Sequence, residues 1–357
     1  MKVAVVLGTR PEFIKLSSFL REAPQSFNVV SIHTGQHYDL NMSQNMIKEL
    51  KLPKMNYQIK LPKSGFENQL AKMSQELTKI FVKEKPDYIL VQGDTNSAMM
   101  GAVIGRRLGI DIIHVEAGCR SFDMRSPEEQ NRKIIDSITT LYFCADKKSI
   151  QHLAHEGVKK KVYFSGSTVF DAAKWASLSQ AKILKDLKLS EGTYIVATLH
   201  RAENMDDLTE FLKKIDLINK VSEEMPVVFP IHPRTKNFLK DKGISLAKTV
   251  KVISPQTYLP FILLLKNCRL VLSDSGGIQE EAAFFDRPCL ILREATEWTR
   301  LVDIKKNFLV KKIDKKAEKL VFKLIQDEAF YQSNRKIKAP EINSGATQKI
   351  IQRILKQ

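Results

Sequence analysis

The sequence predicts an α/β protein built of two doubly wound, Rossmann-like parallel sheets. Short β-branched runs alternate with amphipathic segments of helix length along almost the whole chain. The runs are apolar nearly throughout, the pattern of parallel strands buried on both faces rather than of strands with one wet face. The alternation stops once, over about residues 167–190, and then restarts. At 357 residues the chain is long enough for two domains of ordinary size.

In the first half, strands are expected at 2–7, 29–33, 88–92, 111–115, 141–144 and 162–166. The interruption, "TVFDAAKWASLSQAKILKDL", carries helical sequence with no strand signal. Strands resume at 194–199, 227–231, 250–253, 269–273, 289–293 and 308–310. The expected domains are therefore 1–168 and 169–340, with a short amphipathic helix in 341–357 after a Pro-containing stretch.

Composition narrows the function classes. Apolar residues make up 43% and charged residues 27%, which suits a soluble globular chain. The longest apolar run, "YLPFILLL" (258–265), is far short of the ~20 residues of a membrane span, so no membrane insertion is expected. The N-terminus suits a first strand better than a signal peptide. The net charge of +17 admits anionic partners, but the basic residues are spread out. No aromatic-interleaved basic stripe points to nucleic acid. Cys119, Cys144, Cys268 and Cys289 are scattered without a CxxC pair, so neither a zinc site nor a disulfide framework is expected, and a reducing cytoplasm fits.

Open parallel sheets bind ligands beyond the carboxyl ends of their strands. The unusual residues of this chain lie there. "LGTRPEFIK" (7–15) follows the first strand and places Arg10 and Lys15 near a helix start, with Pro11 suited to a first helical position. No GxGxxG occurs, so dinucleotide binding by that route is not expected. "QGDTNS" (92–97) and "EAGCRSFDMRSPEEQNR" (116–132) place Asp94, Glu116, Glu128 and Glu129 at strand ends or a helix start, with Arg120, Arg125 and Arg132 among them. Each acid taken singly also suits a helix cap; gathered at one sheet edge, they suit proton transfer. His200 and His232 follow the first two strands of the second half, and histidine exchanges protons near neutral pH.

"RLVLSDSGGIQEEAAFF" is strand, Gly-rich turn and helix. Its glycines allow an anion to approach backbone N–H groups at a helix start, and Ser275 adds a hydroxyl. Glu280 and Glu281 are expected in the first helical turn, where a carboxylate suits a sugar's vicinal hydroxyls rather than phosphate. A Gly-rich turn with acids on the helix dipole is the plainer alternative.

Together these motifs resemble the non-hydrolysing UDP-N-acetylglucosamine 2-epimerase family. The pieces are "GTRPEFIK", "GQH" (35–37), "GDT" (93–95), "EAGCR" (116–120), "PEEQNR" (127–132), "HRAEN" (200–204), "HP" (232–233) and "DSGGIQEEA" (274–282), in the family's order. The resemblance implies a GT-B arrangement with a central cleft, the C-terminal helix packed back on the first domain, a homodimer, a UDP-sugar substrate and neither cofactor nor metal. It implies that Ser275, Gly276 and Gly277 hold the diphosphate with Arg10 and His232, that Glu281 holds the ribose, and that Arg132 contributes to substrate binding. Asp94, Glu116, Glu128 and His200, with Lys15 beside them, become the acid–base candidates. The segment "TEWTR" (296–300) departs from the family's "TERPE", with Trp298 in place of an arginine expected near the diphosphate.

The implied reaction takes UDP-GlcNAc to UDP-ManNAc, a surface polysaccharide precursor, by eliminating UDP to a 2-acetamidoglucal and adding it back. "HTGQH", "RSFDMR", "HRAEN", "HPRT" and "TEW" also resemble the branch acting on UDP-2,3-diacetamido-2,3-dideoxyglucuronate. A GT-B glycosyltransferase and a non-catalytic UDP-sugar sensor are the more distant alternatives.

Overall fold

β1 (Lys2–Leu7) is wholly buried from Val3 to Leu7, with no solvent-facing side chain to alternate with the apolar ones. Such a strand needs neighbours on both edges and helices on both faces. In the computed structural model, which describes residues 1–36, 40–63, 65–200, 207–296, 298–339 and 341–357, it has both edges paired. It lies between β2 (Asn28–His33) and β4 (Tyr88–Gln92). β3 (Tyr57–Gln58), β5 (Asp111–Val115), β6 (Leu141–Cys144) and β7 (Val162–Phe164) complete a sheet of order β3-β2-β1-β4-β5-β6-β7. Every pairing in it is parallel.

The second sheet repeats the plan. β8 (Ile195–Thr198), β9 (Val227–Pro230), β10 (Val250–Ile253), β11 (Leu270–Ser273), β12 (Cys289–Ile291) and β13 (Asn307–Leu309) run in the order β10-β9-β8-β11-β12-β13, again all parallel. In both sheets the order reverses beside the first strand, between β1 and β4 and between β8 and β11. These are the switch points where doubly wound sheets open a crevice. The two-residue edge strand β3 was not expected from sequence, and β7 and β12 each end two residues early, at Phe164 and Ile291.

Helix Asn96–Arg107 lies tight on the first sheet because two of its residues lack side chains. A Cβ on Gly105 would fall 2.2 Å from Ile89 Cδ1, and one on Gly101 would fall 3.1 Å from Val6 Cβ. In the second sheet, Phe211, Ile215 and Ile218 of helix Leu208–Glu224 pack with Ile195, Val227 and Phe229.

The chain divides into two compact units, Met1–Lys174 with Asn343–Gln357, and Trp175–Ile342. The first division thus falls inside helix Thr168–Ala176, after Lys174. Asp171 explains this. Its carboxylate accepts the amides of Gly345 and Thr347 (2.7 Å for the latter), tying the start of that helix to helix Ala346–Ile354. Ile350, Ile351 and Ile354 of the latter are buried, and Gln348 donates to Glu22.

At the exit of β1, helix Arg10–Lys15 starts with Glu12 buried beneath it. Its carboxyl accepts the amides of Gly8 and Thr9 (2.9 and 2.8 Å) and the Thr95 hydroxyl (2.8 Å), joining the loops after β1 and β4. Burial pushes the Glu12 carboxyl up from 4.5 to about 7, against the pull of those donors. A raised carboxyl binds its proton more tightly folded than unfolded. Its contribution to stability is therefore present below 4.5 and lost as pH rises through about 7. Between pH 5 and 8 the native chain should lose roughly 2–4 kcal/mol relative to Glu12→Gln in chemical denaturation. Equal pH slopes for the two proteins would contradict this.

Candidate functional site

In the first unit, the loops after β4 and β5 bring two ion pairs together. Lys15, ending helix Arg10–Lys15, holds both oxygens of Glu116 through Nζ, at 2.6 and 2.7 Å. Gln92, the last residue of β4, donates to the same carboxylate. Arg132 pairs with Asp94 through one nitrogen and with Glu129 through another (2.8 Å). The two pairs feel one another: Glu116 and Lys15 both act on the charge of Asp94. Burial raises the Asp94 pKa, and Arg132 does not fully cancel that rise. Burial also lowers the Arg132 pKa, but the carboxylates of Asp94 and Glu129 outweigh it and keep the guanidinium charged.

The acids following Pro127 separate in an informative way. Glu128 is exposed on the first turn of helix Pro127–Ile138 and accepts the Ser126 hydroxyl. It acts on Asp94 only through its charge, not by contact. Glu129, one residue on, is fully buried and accepts the Ser121 and Phe122 amides (2.9 and 3.1 Å) besides Arg132. Glu129 thus fixes the 121–122 turn and aims Arg132 at Asp94. Of the other two arginines, Arg125 pairs with Asp123 on the surface, and Arg120 is buried against Asp136 and Glu156. Neither belongs to the acid cluster.

Asp136 and His114 are residues the sequence did not signal. His114 Nδ1 lies 2.7 Å from Asp136 and its Nε2 2.8 Å from the Gly93 carbonyl, so a buried ring braces the peptide just before Asp94. Asp136 also accepts the Gly118 amide at 3.0 Å, bracing the loop after Glu116. A single histidine inside an apolar strand carries no pattern that reveals such a role.

In the second unit, His200 follows β8, His232 caps helix Pro233–Asp241, and Ser275 caps helix Gly276–Phe284. The Ser275 amide donates to Ser273 Oγ (3.0 Å), and its hydroxyl makes no cap bond to the helix. Gly277 is exposed, and a Cβ there would meet nothing within 4 Å. The first helical amides have no partner within their own helix, and no side chain covers them at Gly277, so an anion can take them. Glu280 and Glu281 do not lie in the first turn. Gly276 and Gly277 are already helical, which moves both acids into the second turn, where they are buried. Trp298 is buried at the start of helix Thr299–Asp303, and Arg300 pairs with Glu341. Arg10 opens helix Arg10–Lys15, partly exposed. His37 and residues 201–204 of "HRAEN" lie outside the described residues. No group of three or more His, Cys, Asp or Glu suited to a metal occurs among the described residues.

Glu116 has φ +72°, in the left-handed region that disfavours a side chain. Glu116→Gly and Glu116→Ala both delete the ion pair with Lys15, and only glycine relieves the backbone. The glycine variant should be the more stable by about 1 kcal/mol in chemical denaturation. An alanine variant as stable as the glycine one would show that no strain is held there.

A family model described as UDP-N-acetylglucosamine 2-epimerase matches residues 20–355. The chain is 39% identical over 321 residues to a UDP-N-acetylglucosamine 2-epimerase of Methanococcus maripaludis, covering 86% of this chain and 87% of that one. It is 39% identical over 316 residues to a UDP-2,3-diacetamido-2,3-dideoxy-D-glucuronate 2-epimerase of Pseudomonas aeruginosa, covering 87% and 88%. The crystal structure of Methanocaldococcus jannaschii UDP-GlcNAc 2-epimerase, in complex with UDP-GlcNAc and UDP, superposes with a TM-score of 0.86 at 37% identity, covering 100% of this chain and 99% of that one. The structural likeness covers the whole chain, both sheets included, and the chain belongs to the UDP-N-acetylglucosamine 2-epimerase family.

Proposed function

We propose that the chain is an isomerase that inverts C-2 of UDP-N-acetylglucosamine, giving UDP-N-acetylmannosamine. The observation that carries this reading is the acid cluster of the first unit: Asp94 and Glu116, each paired with a cation, at the ends of adjacent strands. Family membership supplies the nucleotide sugar.

The C-2 hydrogen of an N-acetylhexosamine has no carbonyl beside it, so inversion without redox chemistry proceeds by elimination. A base takes the C-2 proton, its C–H electron pair forms the C-1=C-2 double bond, and the C-1–oxygen pair leaves with UDP. The 2-acetamidoglucal then takes UDP back at C-1 and a proton at C-2 on the opposite face. Both faces need a proton-exchanging group, which is the use of more than one carboxylate. Glu116 is clamped by Lys15 and Gln92, while burial raises the Asp94 pKa towards the range of proton exchange. In this reading Asp94 and Glu116 exchange the protons, with Lys15 and Arg132 holding their charge. Glu128 then has an outer, electrostatic part.

The second unit takes the nucleotide. Ser275, the amides of Gly276 and Gly277, and His232 would hold the diphosphate as charge develops on it, and His200 would assist there. Glu281 remains the candidate for the ribose, from the second helical turn. We also read the working protein as a homodimer, on the family resemblance, in a reducing cytoplasm, which its four free thiols suit. Light scattering at twice the 40.7 kDa chain mass would support the dimer, and the monomer mass would overturn it.

The direct test is incubation with UDP-N-acetylglucosamine alone in deuterated water, beside UDP-2,3-diacetamido-2,3-dideoxyglucuronate. Deuterium should appear at C-2 of the first substrate, with the manno epimer accumulating. Exchange on the uronate alone would move the chain to that substrate, and no exchange on either would remove the epimerase reading. Asp94→Asn should lower kcat by ~100-fold or more and leave UDP affinity nearly unchanged, as loss of an acid–base group does. Near-normal turnover in that variant would take Asp94 out of the chemistry.

A further inference from the structure

Asp274 precedes the Ser275 cap and is fully buried at the end of β11. Its Oδ2 accepts the His200 amide at 2.9 Å, and its Oδ1 lies 3.0 Å from His200 Nδ1. The ring approach is an ion-pair contact rather than an aligned hydrogen bond, but an ionised carboxylate has no proton to offer and repels a ring lone pair, so the nitrogen facing it is the one that carries the proton. His232 is held the opposite way. Its Nδ1 accepts the Arg234 amide at 3.2 Å, which leaves the proton on Nε2. The two rings lie 6.2 Å apart, centroid to centroid. The His232 pKa is lowered, first by burial and then by His200 and Arg234, in keeping with a neutral ring. Lys214, buried on helix Leu208–Glu224, is a further cation whose charge is felt with that of Asp274.

We propose that Asp274 is a positioning residue that holds His200 with its proton on Nδ1 and its Nε2 free for substrate, so that His200 and His232 act in opposite tautomers. His232 is then a fixed, neutral N–H donor. His200, held as the imidazolium by the buried carboxylate, gives its Nε2 proton to the departing diphosphate oxygen as the C-1–O bond breaks. Nε2, then neutral, takes that proton back from UDP as the bond re-forms. The inference rests on the epimerase reading for this last step, while the tautomers themselves do not depend on it.

Long-range 15N–1H spectra of histidine-labelled protein with UDP bound, on the alkaline limb of the His200 titration, read the tautomers directly. The expected pattern is Nδ1–H for His200 and Nε2–H for His232. Asp274→Asn offers amide hydrogens in place of a lone pair and should turn His200 to Nε2–H. Its kcat should fall roughly 100-fold with KM within about threefold, as loss of a correctly held base does. Because Asp274 acts through His200, adding Asp274→Asn to His200→Ala should cost no further activity. Nε2–H at His200 in the native protein would overturn the proposal, as would a further tenfold loss in the double variant. Should Asp274→Asn not fold, the native spectrum decides alone. Should the native protein turn over no UDP-N-acetylhexosamine, the function falls while the spectrum still settles the tautomers.

Discussion

The governing constraint is that a parallel strand buried on both faces admits a polar side chain only where buried partners answer it, as they do for His114, or where the strand ends. β1, β4, β8 and β11 are apolar for nearly their whole length and then release charge and hydroxyl groups within a residue or two. Where the strand order reverses, the connections on either side lead away from each other and leave room between them. Glu12, Asp94 and Lys15 gather at one such place, and His200, Asp274 and Ser275 at the other. The sites follow from the sheet order, and the sheet order follows from burial.

The acids survive at the sheet edge because each is answered. Three carboxylates, on Asp94, Glu116 and Glu129, are matched by two cations on Lys15 and Arg132 and by the amides of the 121–122 turn. Isolated buried charge is expensive, whereas paired and hydrogen-bonded charge is tolerated. The matching is not uniform. Glu116 is clamped at both oxygens, while Asp94 keeps a raised pKa beside its arginine. Behind Asp94 and Glu116, the His114–Asp136 pair braces the Gly93 carbonyl and the Gly118 amide.

Much of the fold was legible without coordinates. The bounds of β4, β5 and β6 agree with the apolar runs to the residue, because both-face burial writes itself into consecutive residues. β3 was not legible: two residues on a sheet edge bury too little to leave a pattern. The loop motifs were legible as clusters of unusual residues, though not as contacts. "PEEQNR" offered two adjacent acids, and only the packing of helix Pro127–Ile138 turned Glu129 inward and Glu128 out. The start of helix Gly276–Phe284 likewise moved Glu280 and Glu281 by one turn.

The sequence by itself determined the alternation of buried strands with helices, and thereby the loops that carry chemistry, because burial acts on residue types in order along the chain. Tertiary structure decided which acid meets which cation, which histidine nitrogen keeps its proton, and which loops share a crevice. Those outcomes depend on helix phase and on contacts between residues far apart in the chain. A step of one residue turns a helical side chain by about 100°, enough to exchange the core for solvent.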